Sequence, residues 1–149
     1  MVQFLLSRNA DPNANTDGNN TALEKAAATA SIPVLAALLS AGAIMKGRSA
    51  LVKAAYHGRS EIAEYLLDQG AEINEVPCND TITGSCRELE VVNALSMAAF
   101  RGQDDVVEVL LDRGADAGVR NPNGKTALEL AEEEGNWACV EMLNLYAKC

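Results

Sequence analysis

The chain repeats itself, and this constrains its fold more than any other property. Four segments align on one another: Thr21-Ala-Leu-Glu-Lys-Ala-Ala, Ser49-Ala-Leu-Val-Lys-Ala-Ala, Asn93-Ala-Leu-Ser-Met-Ala-Ala and Thr126-Ala-Leu-Glu-Leu-Ala-Glu. Their leucines stand at 23, 51, 95 and 128, with spacings of 28, 44 and 33 that average 35 residues. In three copies a glycine follows 19 residues after the leucine, at Gly42, Gly70 and Gly114. Just before each glycine lies an apolar stretch: Val34-Leu35 with Leu38-Leu39, Ile62 with Leu66-Leu67, and Val106-Val107 with Leu110-Leu111. Spacings of three and four place these residues on one buried helical face. A period of this length marks a supersecondary unit that cannot bury its apolar face alone and must stack on its neighbours.

Local chemistry predicts a helix–turn–helix in each unit. Thr21, Ser49, Asn93 and Thr126 are good N-caps for the first helices. Thr21 with Glu24 and Thr126 with Glu129 have the spacing of a capping box, in which two orphan amides are satisfied reciprocally. Gly58, Gly102 and Gly135 follow the first helices, and Gly42, Gly70 and Gly114 the second. A glycine there turns the chain into the left-handed region without a Cβ penalty. The pairs Ala26-Ala27, Ala54-Ala55 and Ala98-Ala99 leave room for adjacent helices to approach closely. Pro33 fits only in the first turn of its helix, where the missing amide costs little. Alanine and leucine make up 42 of the 149 residues, which also favours helix.

The pattern resembles the ankyrin repeat. Gly70-Ala-Glu-Ile-Asn74 and Gly114-Ala-Asp116 match the family's Gly-Ala-Asp-Val-Asn, and Asn121-Pro-Asn-Gly-Lys-Thr-Ala-Leu128 matches its Asp-x-x-Gly-x-Thr-Pro-Leu. The resemblance covers nearly all of the chain outside 77–92. It implies an all-α solenoid of L-shaped units, each a pair of antiparallel helices with a hairpin finger. About four repeats follow an N-terminal half repeat: 1–16, 17–46, 47–92, 93–120 and a C-terminal capping repeat at 121–149. Two departures stand out. Ala22, Ala50, Ala94 and Ala127 occupy the family's proline position, and Glu24, Val52, Ser96 and Glu129 its histidine position. The histidine-to-threonine hydrogen bonding of the family is therefore absent, and capping must serve instead. The short spacing removes five residues between Lys46 and Ser49, predicting a short turn there. The long one adds eleven residues within 77–92, a finger similar to an extension in some fungal ankyrin arrays.

The two ends read differently. Val2 to Ala14 matches the second helix and finger of a repeat whose first helix is missing, with Val2, Leu5 and Leu6 as an apolar stripe. That face is expected to continue into further repeats, or to be covered by a second copy. Glu132-Glu133-Glu134 instead gives the last repeat the polar outer face that a terminal cap needs.

With 21 acidic and 12 basic residues the net charge is −9, which opposes binding to nucleic acid or to an anionic membrane surface. No apolar run approaches the roughly 18 residues of a spanning helix, and no secretory pattern is evident, so a cytoplasmic or nuclear location is expected. Four cysteines, at 78, 86, 139 and 149, include no Cys-x-x-Cys pair, and there is a single histidine. Reduced thiols are expected, although Cys78 and Cys86 could pair if oxidised. No zinc spacing, phosphate loop, nucleophile elbow or metalloprotease motif occurs, so no metal, cofactor or catalytic set is assigned. Glu61, Glu64, Asp68, Asp104, Asp105, Glu108 and Asp112 alternate with apolar positions and read as the solvated face of the second helices.

Stacked repeats present an extended surface for recognition. By resemblance, partners are bound by finger tips and by exposed residues near the end of each first helix. Position by position, the latter are Ala28-Thr29, Tyr56-His57, Phe100-Arg101 and Glu133-Glu134, and the finger residues include Asp17, Asn20, Arg120, Asn123 and Lys125. Arg8, Ala41, Gln69 and Arg113 border the groove. Aromatic side chains and arginine are enriched in interface hot spots, which centres recognition of a partner protein on Tyr56, His57, Phe100 and Arg101. Tyr56 and Phe100 could instead serve only to cover neighbouring helices. Two other functions remain open: a small-molecule or catalytic site between the 77–92 finger and Tyr56, His57 and Phe100, with Cys78, Asp80 or Cys86 as chemistry, or a structural spacer. Trp137 is expected at the start of the last second helix, partly exposed.

Overall fold

The computed structural model describes residues 7–14, 21–45, 50–75 and 93–148. Among these the protein is all-helical, with eight helices and no β-strand. We label them α1 (Ala22–Thr29), α2 (Ile32–Ser40), α3 (Ala50–Tyr56), α4 (Ser60–Asp68), α5 (Ala94–Arg101), α6 (Asp104–Asp112), α7 (Ala127–Glu134) and α8 (Trp137–Ala147). Odd-numbered helices are the first of each pair and even-numbered ones the second, as the repeat requires.

The helix starts follow the expected chemistry. The Thr21 Oγ1 accepts from the Glu24 amide, while the Glu24 carboxylate accepts from the Thr21 amide at 2.6 Å and hydroxyl at 3.0 Å. Thr126 and Glu129 repeat this reciprocal pair at α7, at 2.7 and 3.0 Å. At α5 the Asn93 Oδ1 accepts from the Ser96 amide at 2.9 Å. Glutamate in the family's histidine position thus ties down the same helix terminus by another bond. Ser49, the remaining cap, lies outside the described residues. Pro33 sits in the first turn of α2, where its missing amide leaves no gap. Gly102 and Gly135 end α5 and α7 at φ 69° and 74°. Asn9 takes a left-handed φ of 61°, and Asn9-Ala-Asp-Pro-Asn13 runs parallel to Gly70-Ala-Glu-Ile-Asn74. Asparagine is among the few residues that adopt this conformation readily.

The first helices stack in order, α1 on α3, α3 on α5 and α5 on α7. Ala27, Ala55 and Ala99, at matching positions, are wholly buried between them. The second helices carry a leucine ladder, Leu38, Leu66, Leu110 and Leu143, none more than 3% exposed. Each such burial stabilises the stack by about 1.5–3 kcal/mol. Stacking is uneven: α4 packs on α6 and α6 on α8 more closely than α2 packs on α4. A cavity of about 430 Å³ opens between the N-terminal ends of those two helices, lined by Ser31–Pro33 and Gly58–Ile62. The short 28-residue spacing falls between these same two units.

Polar side chains tie repeat to repeat along the outside. The Asn13 side chain donates to the Gly42 carbonyl at 3.0 Å and accepts from the Ile44 amide at 2.8 Å, and the Asn74 Oδ1 accepts from the Asp116 amide at 2.9 Å. The acidic residues expected on the solvated face of the second helices are all exposed or half-exposed. Some also bond across repeats: Arg113 reaches Asp68 at 2.7 Å and Glu64 at 3.5 Å, and the Tyr146 hydroxyl donates to Asp112. In the last repeat Glu132 is exposed where its counterparts are buried alanines, and Leu128 is only half-buried. Trp137 opens α8 at 66% exposure, and Cys139 packs in the core, where burial pushes its thiol pKa up.

Candidate functional site

Tyr56 is the last residue of α3, and Phe100 and Arg101 are the last two of α5. Because α3 and α5 stack side by side, their C-terminal ends meet. The Arg101 guanidinium lies 4.3 Å above the centroid of the Tyr56 ring. The His57 ring packs edge-on to that of Tyr56, with centroids 4.9 Å apart and planes at 67°. Tyr56 and Phe100 are half-buried and rest against the hydrophobic core, whereas His57 and Arg101 are exposed. The two aromatics therefore cover neighbouring helices and also present a rim to solvent. A guanidinium over a tyrosine face contributes about 0.5–1 kcal/mol at an exposed site, so Arg101 bridges two repeats as well as decorating the surface.

The surroundings of this cluster are basic. Lys53 lies one turn before His57, whose amide donates to the Lys53 carbonyl at 3.1 Å. Partial burial, then the charges of Lys53, Arg101 and Arg59, hold the His57 imidazole below its usual pKa. Among the described residues no carboxylate lies within ion-pair distance of Lys53, Arg59 or Arg101.

The backbone beneath the site is held by the next repeat. The Gln103 Nε2 donates to the Tyr56 carbonyl at 3.4 Å. The Asn136 Nδ2 donates to the carbonyls of Ala99 and Phe100 at 2.9 and 3.0 Å. One repeat earlier, Arg59 donates to the Ala30 carbonyl at 2.8 Å. Arg59, Gln103 and Asn136 precede α4, α6 and α8, yet none caps its own helix with its side chain. Each reaches instead to the orphan carbonyls that end the preceding first helix. The glycine one repeat earlier makes room for two of them: a Cβ on Gly58 would run into the Gln103 side chain, and one on Gly102 would lie 2.7 Å from the Asn136 Oδ1. Sequence reasoning missed this ladder. Its signal is a long polar residue after each glycine, at Gly58-Arg59, Gly102-Gln103 and Gly135-Asn136.

Of the finger residues, Arg120, Asn123 and Lys125 form a separate group. Asn121 is buried, and its Oδ1 accepts from the amides of Asn123 at 3.0 Å and Lys125 at 2.8 Å, shaping the Asn121–Gly124 turn with Pro122 at its second position. Arg120 donates to the Gly124 carbonyl and pairs with Glu129 at 3.5 Å, and Lys125 pairs with Glu133 at 2.7 Å. The charges of Arg120 and Lys125 thus face acidic partners on α7, whereas Asn123 stands exposed at the turn. Hydrogen bonds from the Thr126 amide and hydroxyl, rather than these cations, chiefly hold the Glu129 carboxyl below its usual pKa. Arg113 is engaged with Glu64 and Asp68 of α4. Asp17, Asn20, Cys78, Asp80, Cys86 and the 77–92 finger lie outside the described residues. The cavity between α2 and α4 is lined by neither Tyr56 nor Phe100. Among the described residues no group of three or more His, Cys, Asp or Glu could hold a metal ion, and no helix is long and apolar enough to cross a membrane.

Comparison with known proteins agrees with this architecture. A family model described as ankyrin repeats (3 copies) matches residues 1–76, and one described as ankyrin repeats (many copies) matches residues 74–131. The chain is 41% identical over 73 residues to the ankyrin repeat and SAM domain-containing protein 6 of Rattus norvegicus. That match covers 42% of this chain and 8% of the rat protein. Capped helix pairs, a stacked leucine ladder and the two family matches lead to one conclusion: the chain belongs to the ankyrin-repeat family, whose repeats generally serve protein–protein interaction rather than catalysis.

Proposed function

We propose that the protein is a non-catalytic recognition module that binds a partner protein through the C-terminal ends of α3 and α5 and the adjoining fingers. One observation carries this assignment. Tyr56, His57 and Arg101, from two adjacent repeats, form a single aromatic and cationic cluster with Phe100 beside it. Aromatic and arginine side chains dominate interface hot spots, because large, rigid rings give contact area at little entropic cost. The backbone under them is pinned by Gln103 and Asn136, so the cluster is preorganised and little ordering remains at binding.

The test is a pull-down from source lysate comparing the wild type with Tyr56→Ala combined with Phe100→Ala, the two proteins matched by circular dichroism. A protein retained by the wild type and lost by the variant supports the assignment. Equal retention by both refutes it and moves attention to the fingers.

A further inference from the structure

The cluster carries a charge opposite to that of the molecule. The chain has a net charge of −9, yet Arg101 lies over the same Tyr56 ring that packs against His57, and Lys53 and Arg59 stand one turn before and two residues after His57 along the chain. Elsewhere in the described structure Arg113, Arg120 and Lys125 each face a carboxylate within 4 Å. Among the described residues Lys53 and Arg101 face none, and Arg101 is turned onto the Tyr56 ring. In the next repeat the positions of Phe100 and Arg101 are taken by Glu133 and Glu134, both exposed, so the basic patch has an acidic border on that side.

We propose that Lys53, His57 and Arg101, at the adjoining C-terminal ends of α3 and α5, receive an acidic, carboxylate-bearing peptide segment of the partner. The proposal rests on the recognition function assigned above and gives its partner a chemistry. Charge complementarity selects this occupant over a nucleic acid. At physiological salt, charges are felt over about 8 Å, so a short acidic segment meets the local cations and escapes most of the remaining negative charge. An extended polyanion must also lie along the acidic repeats, and it lacks the row of cations that phosphate neutralisation needs. An arginine held over an aromatic ring still offers its outward N–H groups to a carboxylate, while the Tyr56 and Phe100 rims supply apolar contact for the side chains between acidic residues.

The probe is a fluorescein-labelled glutamate-rich peptide, with its glutamine counterpart and a labelled single-stranded oligonucleotide for comparison, measured by fluorescence anisotropy. We expect the glutamate peptide to bind best, with about two- to fivefold weaker binding for each of Lys53→Gln and Arg101→Gln, the size of one exposed charge pair. Lys148→Gln, which removes a charge at the far end of α8, should leave binding unchanged. In the wild type, the ring resonances of His57 should shift on adding the glutamate peptide, a readout that requires no variant. Equal binding of the glutamine peptide, equal binding by Arg101→Gln, an unmoved His57 or preference for the oligonucleotide would each overturn the proposal. The two levels fail separately. A lysate partner lost with Tyr56→Ala and Phe100→Ala but retained by Lys53→Gln and Arg101→Gln leaves recognition standing and removes the acidic segment. A peptide response at His57, with a lysate partner indifferent to Tyr56 and Phe100, removes the recognition assignment instead.

Discussion

Replacing Gly102 by alanine tests the bond between one repeat and the backbone of its predecessor. Two costs arise. Gly102 has φ 69°, and a left-handed alanine costs about 1–2 kcal/mol. The new Cβ would also lie 2.7 Å from the Asn136 Oδ1 and 2.9 Å from its Cγ, so the amide must swing away. It then gives up its bonds to the Ala99 and Phe100 carbonyls, each contributing about 0.5–1.5 kcal/mol. The sum is about 2–5 kcal/mol. Gly135→Ala is the internal control: φ is 74°, but no atom lies within 4 Å of the place its Cβ would take. Only the strain of about 1–2 kcal/mol then applies. The assay is urea unfolding followed by far-UV circular dichroism, with Asn136→Ala completing a double-mutant cycle. In the Asn136→Ala background, Gly102→Ala should fall to the cost of Gly135→Ala, giving a coupling of about 1–3 kcal/mol. Equal costs for the two glycines in the wild type, or additive effects of Gly102→Ala and Asn136→Ala, would refute the inter-repeat role of the amide.

Two further outcomes concern protonation. The Glu129 carboxyl has a lowered pKa in the folded state, through hydrogen bonds from Thr126, so its stabilising contribution is present above the unfolded value of about 4.3. The contribution is lost as pH falls through the lowered folded value. The difference in melting temperature between the wild type and Glu129→Gln should therefore shrink as pH is taken from neutral into that acid range; a difference that persists there contradicts the assignment. His57 should titrate below its usual 6.5, because burial and the cations Lys53, Arg101 and Arg59 disfavour its protonated form. By NMR, the midpoint should rise in Lys53→Gln and in Arg101→Gln, and an unchanged midpoint in both would place the charges too far away to act. Any stability linked to neutral His57 is present above its unfolded pKa and diminishes as pH falls through that value to the lowered folded one.

The sequence is most informative where a single residue type performs a single local task. Thr21, Asn93 and Thr126 announce helix starts because a short polar side chain is what an orphan amide needs there. The glycines at 102 and 135 announce helix ends because few other residues take a left-handed φ cheaply. Periodicity likewise exposes the leucine ladder. The looser packing of α2 on α4 cannot be read in this way, since it depends on how a shortened unit seats on its neighbour. The site is legible in part. Alignment to the family places Tyr56, His57, Phe100 and Arg101 at the ends of first helices, but not the stacking of the Arg101 guanidinium on Tyr56, which requires the separation and tilt of two helices. It also treats Arg120 and Lys125 as finger contacts without seeing that Glu129 and Glu133 lie in reach. Lys53 escapes notice because the repeat alignment counts it as an interior residue of a first helix, whereas its charge acts on His57 one turn later.

The side-chain bonds of Gln103 and Asn136 have a consequence for inheritance and for engineering alike. Tyr56 and Phe100 are each carried by one repeat, but their carbonyls are gripped by the repeat that follows. The units are thus not independent cassettes. Transplanting the α5 repeat without Asn136 moves the recognition residues and leaves behind the hand that steadies them. A functional graft must take the glycine of one repeat together with the amide of the next, so the smallest exchangeable piece runs across the boundary between two repeats rather than from one boundary to the other.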